Sequence, residues 1–255
     1  MFSSDIWGPI ERGNAMAIFT CMTFCGPALG PVVSGFLQLK EDWRWSFYVL
    51  LWIAAFTIPF MLTIPETLPS QVLLNKAKRI RAAKIPGYEN VIAPVEATNR
   101  SLKNIFHVAL TRPWAILLDP ISLACAIYMS VVYTLLYMLF SIYPIIFQVK
   151  RGWNAGVGEL PLIGTAVGAC AGGVYVFWVT AQDKKKTLAG HPRRPEDRLI
   201  VAMVGGIIFP LSMFGFAWSG EYNSCPWIVP TIFGAFLASS IMLVFVGYLN
   251  YLTDS

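Results

Sequence analysis

Six uncharged, apolar stretches interrupt the chain: Asn14 to Leu39, Trp45 to Ile64, Ile121 to Phe147, Leu160 to Thr180, Leu199 to Ser219 and Trp227 to Tyr251. Each is close to the ~20 residues that an α-helix needs to cross a bilayer. None alternates apolar with polar positions as a barrel strand would. The pattern predicts an all-α polytopic membrane bundle of six transmembrane helices. Polar stretches join them, and the longest, Pro65 to Arg112, carries eight basic and three acidic side chains. That length predicts two groups of helices: residues 1–64 with two spans, a connection over 65–112, and residues 113–255 with four spans.

The first span contains the pattern on which the reading turns, Gly26-Pro27-Ala28-Leu29-Gly30-Pro31, followed by Ser34-Gly35. In water the prolines would weaken a helix by removing a donor and crowding the preceding turn. In a bilayer neighbouring helices resatisfy the freed groups, and glycines allow close backbone approach. In the fourth span Gly164, Gly168 and Gly172 repeat at four-residue spacing, a second small-residue face. Matching smooth faces predict that the first and fourth spans meet along these glycines.

On the third span Tyr133, Tyr137, Phe140 and Pro144 step by 4, 3 and 4 and so share one face. Ordinary helix packing would account for such a face; read functionally, Tyr133, Tyr137 and Phe140, with Ser240 of the sixth span, are candidate cavity residues: rings for an apolar or cationic solute, hydroxyls as polar handles. Within the long connection Leu73, Ala77 and Ile80 fall on one face, predicting an amphipathic helix on the membrane surface. Pro86-Gly87 would end it, and Ser101 would cap a further helix bearing Leu102, Ile105, Phe106 and Ala109.

Charge adds topology. With a cytoplasmic amino terminus the inner segments hold fifteen of the nineteen basic residues and the outer connections only Lys40, Arg44, Lys150 and Arg151. By the positive-inside rule both termini are cytoplasmic. The net charge of +5 is therefore an orientation signal, not the basic face with aromatic platforms of a nucleic-acid binder. Asn99-Arg100-Ser101 has the form of a glycosylation site, yet this topology keeps it in the cytosol. Residues 1–13 contain Asp5, Glu11 and Arg12 and lack a basic start, so the first span is expected to act as its own insertion signal.

Catalytic chemistry is not indicated. The two histidines, His107 and His191, fall in connections without metal-ligand spacing, and no nucleophile has a basic partner within a motif. Neither a catalytic site, a cofactor nor a metal is expected. Cys21 and Cys25 share a helix face and read as small packing residues. No carboxylate lies mid-span. Asp119 stands at the inner end of the third span and Glu159 at the outer end of the fourth, where it can meet the helix amino terminus.

Taken in order, the motifs resemble those of the fungal drug:proton antiporters of the major facilitator superfamily. They are the paired Gly-Pro steps at residues 26–31, Trp43-Arg44-Trp45, Pro65-Glu66-Thr67, Arg112-Pro113, Asp119-Pro120-Ile121, the aromatic series from Tyr133 to Pro144, Arg151-Gly152-Trp153, Pro195-Glu196-Asp197-Arg198 and Asn250-Tyr251-Leu252-Thr253-Asp254. Met22, Ser34 and Thr134 depart from glycines of that pattern. The resemblance implies that the six spans correspond to helices 5 to 10 of a twelve-helix exporter in the plasma membrane. Its partners would be the lipid bilayer, a small hydrophobic solute and, in a full-length parent, protons. Two halves would rock about a site at mid-membrane. The alternative is a non-transporting membrane fragment that binds other membrane proteins.

Overall fold

The computed structural model describes residues 12–83, 91–97, 102–188 and 199–254. The predicted tail before Arg12, the Pro86-Gly87 stop, the Asn99-Arg100-Ser101 triplet, His191 and the Pro195 to Arg198 motif lie outside them. Six helices are long and apolar enough to cross a membrane. The first span is Arg12–Leu37 and the second Arg44–Thr63. The third is Pro120–Pro144, continued by a π-helical segment Ile145–Lys150. A short helix Ala155–Glu159 precedes the fourth, Leu162–Leu188. The fifth is Leu199–Glu221 and the sixth Ile228–Asp254. Among the described residues there is no strand.

Local chemistry sets several of these ends. Asp119 accepts a hydrogen bond from the Ser122 amide at 3.1 Å, and Pro120 fills the first helical position, where its missing N–H costs nothing. The first span passes through both Pro27 and Pro31 without a break. Each long helix is apolar on all sides, so partners rather than amphipathicity decide which face is inside.

The sixth span is the centre of the packing. It lies against the fifth and fourth spans and more lightly against the first and third. Leu139, Tyr143 and Phe147 of the third span, Phe216 of the fifth and Leu237 and Ile241 of the sixth form the main buried cluster. The first span does pack on the fourth. Gly164, Gly168 and Gly172 of the fourth, however, face the other way. An ideal Cβ on Gly164 would lie 2.7 Å from Thr231 Cγ2, one on Gly172 would lie 3.1 Å from Ser239 Oγ, and one on Gly168 would overlap the backbone of Ala235. Their partner is the sixth span, which corrects the predicted seam with Gly26 and Gly30. The reason is angular: a helix has several neighbours, and spacing alone does not select among them. By contrast the second span buries none of its residues and touches the bundle chiefly through the first, where Ser34 and Ser46 hydroxyls lie 3.3 Å apart.

In the long connection a helix covers Pro69–Ala82, with Ala77 buried, Ile80 half-buried and Leu73 exposed. It packs on a single turn, Pro94–Ala97. Arg81 Nη2 donates to Glu96 Oε1 at 2.6 Å, and the Ala93 amide donates to Glu96 Oε2 at 3.1 Å. The Arg81 guanidinium, helped by that amide, holds the Glu96 carboxyl below its ordinary range. A further helix, Leu102–Leu117, runs through Pro113, and its described side chains through Ala109 are exposed.

Candidate functional site: an aromatic groove and a buried carboxylate

The helical face predicted on the third span opens onto an apolar groove of about 560 Å³. Tyr133 and Tyr137 line it with Thr134, Met138, Ser141 and Ile142. The Tyr133 and Tyr137 rings are 6.2 Å apart, and Phe140 meets Tyr137 at 6.4 Å while resting partly on the core. Tyr137 is 60% exposed. Tyr133 also borders a smaller groove of about 290 Å³ with Phe245 and Tyr248 of the sixth span, its ring 5.8 Å from that of Phe245. Tyr248 in turn meets Tyr128 at 5.8 Å. The aromatic wall thus continues onto a second helix, a part the sequence reading did not single out. The sixth span is so evenly apolar that no face of it stood out as a lining.

Polar capacity in the groove is narrow. Ser130, Thr134 and Ser141 each donate back to a carbonyl four residues earlier in their own helix. The tyrosine hydroxyls remain as directional groups among π faces, a lining suited to flat apolar or cationic molecules. Ser240 does not join them. It is fully buried, donates to the Leu237 carbonyl at 2.7 Å, and its own carbonyl would lie 2.7 Å from an ideal Cβ on Gly205 of the fifth span. Five residues separate it from Phe245, which turns it about 140° around the helix. Ser240 is therefore a packing residue, a correction to the predicted cavity.

The glycines of the first span serve two purposes. Gly26 and Gly30 have nothing within 4 Å of an ideal Cβ. With Leu29, Val33, Val49 and Ile53 they border an apolar crevice of about 480 Å³ between the first and second spans. Gly35 instead makes room for the next layer: its ideal Cβ would lie 2.5 Å from the Ala155 carbonyl oxygen and 3.0 Å from Glu159 Cγ.

Glu159 is only 6% exposed. Its Oε1 accepts from Gln148 Nε2 at 2.8 Å, and its Oε2 has no hydrogen-bond partner. Glu159 therefore does not receive the amino terminus of the fourth span as predicted; it ends the short helix Ala155–Glu159, which Asn154 caps, its Oδ1 accepting from the Val157 amide at 2.8 Å. Among the described residues no cation forms an ion pair with Glu159. Arg151 points elsewhere, donating to the Cys225 carbonyl at 2.8 Å with its guanidinium over the Phe147 ring. No periodicity marks Gly35, Gln148 and Glu159 as neighbours; only folding brings them together.

At the same end of the bundle two connections are tied to each other. Lys150 pairs with Glu221 at 2.5 Å, and Asn223 donates to the Lys150 carbonyl at 3.0 Å. Trp153 stands between Phe147 and Trp227, at ring distances of 5.2 and 6.2 Å. Gly152 makes the turn with φ +71°, in the left-handed region. Gly152→Ala is expected to cost about 1–2 kcal/mol of stability. Thermal unfolding of the detergent-solubilised chain, followed by tryptophan fluorescence, checks this; an unchanged midpoint would contradict it.

Comparison with known proteins agrees with this architecture. The family model described as Major Facilitator Superfamily matches residues 2–255. The efflux pump FUB11 of Gibberella fujikuroi is 36% identical, over 99% of this chain and 44% of its own length. The multidrug transporter TPO1_2 of Candida glabrata is 34% identical over 99% of the chain and 44% of its own length. An uncharacterized transporter of Schizosaccharomyces pombe, C36.03c, is 35% identical over 99% of the chain and 47% of its own length. The chain thus spans about half the length of these curated relatives. No solved structure matches it. With six apolar helices in place and a family match that runs along nearly every residue, the chain belongs to the Major Facilitator Superfamily.

Proposed function

We propose that this chain serves export of small hydrophobic, drug-like solutes by proton-coupled alternating access. The observation that carries the reading is the pair of adjoining grooves that share Tyr133, one lined with Tyr137 and the other with Phe245, an apolar and aromatic surface open to a solute. The names of the fungal relatives, efflux pump and multidrug transporter, point the same way. For the proton, Glu159 supports the reading: it is a buried carboxylate at the end of the bundle where the fourth span begins, with one oxygen left without a hydrogen-bond partner. In this reading residues 1–64 and 113–255 belong to the two rocking groups and 65–112 joins them. Both termini are cytoplasmic, and the membrane is the plasma membrane.

A second reading, a non-transporting partner of other membrane proteins, draws on the second span, which buries none of its residues. Reconstitution into proteoliposomes with an imposed pH gradient separates the two. Movement of a fluorescent lipophilic cation that collapses with a protonophore is the expected result. If the 255-residue chain fails while a version extended at both ends succeeds, transport belongs to the longer protein and the chain alone is a fragment. Failure of both overturns the exporter.

A further inference from the structure

Cys21 and Cys25 stand one helical turn apart on the first span, and folding brings Cys170 of the fourth span beside them. Cys21 Sγ and Cys170 Sγ are 3.5 Å apart across a sequence separation of 149 residues. All three sulfurs lie within 4.8 Å of one another. Small residues permit this approach: an ideal Cβ on Gly173 would sit 3.9 Å from Cys21 Cβ. The thiols are free, Cys170 is exposed and the other two are half-buried, so a small reagent can reach them.

Three soft donors at this separation match one central atom with bonds of about 2.3 Å, the length typical of metal–thiolate contacts, after small side-chain rotations. Charge then selects the atom. No histidine, carboxylate or fourth cysteine among the described residues completes the group, so the closed four-ligand site of zinc is not available. A monovalent copper ion on three thiolates would carry two negative charges, and a divalent mercury ion one. In apolar surroundings an uncompensated charge is costly. A trivalent centre on three thiolates is neutral.

We propose that Cys21, Cys25 and Cys170 form a tridentate thiol site for trivalent arsenic, taken up as arsenous acid. Uptake is a ligand exchange without redox change: As(OH)₃ and three thiols give As(SR)₃ and three waters. Three As–O bonds break and three As–S bonds form, and each departing hydroxide leaves with a thiol proton. Reagent and product are both neutral, so the exchange leaves no uncompensated charge in apolar surroundings.

The test uses the reduced, detergent-solubilised 255-residue chain and sodium arsenite. Expected are one arsenic retained per chain after gel filtration and an arsenic X-ray absorption spectrum with only sulfur in the first shell. Maleimide mapping by mass spectrometry should show Cys21, Cys25 and Cys170 protected while Cys125 and Cys225 still react. Cys170→Ser should weaken retention roughly 10²-fold by removing one intramolecular bond, whereas Cys225→Ser should not change it. Protection of only two thiols, equal protection of all five, or retention insensitive to Cys170→Ser would overturn the site. Where Cys170→Ser fails to fold, the protection map of the unaltered chain decides alone.

Discussion

Gly168→Leu should dismantle the bundle, and Gly30→Leu should leave it folded. An ideal Cβ at Gly168 overlaps the backbone of Ala235, and backbone cannot rotate out of the way as a flexible side chain can. Gly164 and Gly172 approach Thr231 and Ser239 in the same manner, so the two helix axes would have to separate along the whole contact. Overfilling a packed site costs about 1–3 kcal/mol even where side chains adjust. Here the obstruction is rigid, and the sixth span also carries the fifth span and the main buried cluster. Against a total stability of about 5–15 kcal/mol such a change is large. At Gly30 nothing lies within 4 Å of an ideal Cβ, and leucine would extend into the crevice towards Val49 and Ile53. Size-exclusion profiles and thermal unfolding in detergent give the comparison. A stable Gly168→Leu beside an unfolded Gly30→Leu would move the critical interface to the first span.

Glu159→Gln should uncouple solute movement from the pH gradient in an exporter built on this chain, a result that rests on the proposed transport function. The amide oxygen keeps the acceptor for Gln148 Nε2 and nearly the same volume against Gly35, so folding should be preserved. What is lost is the ability to gain and release a proton at a place where the hydrogen-bonded side chain is neutral and, among the described residues, no ion pair is made. Gradient-driven flux should fall about tenfold or more, which corresponds to about 1.4 kcal/mol in the limiting barrier. Downhill movement of the same solute should persist, and its pH dependence should flatten. Glu159→Asp should retain part of the coupling, because the carboxyl remains but withdraws from Gln148. Undiminished gradient-driven flux in Glu159→Gln would leave Glu159 a structural acid.

How much of this was legible in the sequence follows from the range of each interaction. The six spans and the amphipathic Pro69–Ala82 helix are written in local spacing and lie where that spacing puts them, although the fourth span runs on to Leu188, past the predicted Thr180. The Tyr133–Tyr137 face was legible for the same reason, since residues four apart share a helix face wherever the helix is placed. Partner choice was not legible. Gly164, Gly168 and Gly172 announce a close contact without naming the sixth span, and Ser240 is polar and mid-helix yet turned into the fifth. Cys170 and Glu159 become significant only beside Cys21, Cys25, Gly35 and Gln148, across separations no periodic pattern encodes.

The tie among Lys150, Glu221, Asn223, Arg151 and the Cys225 carbonyl works mechanically as a clasp. It fastens the link between the third and fourth spans to the link between the fifth and sixth, with Trp153 and Trp227 wedged beside it. In the proposed alternating-access reading these four helices would move as one unit, and the second span, which buries none of its residues and packs chiefly on the first, would be the element left to move against them.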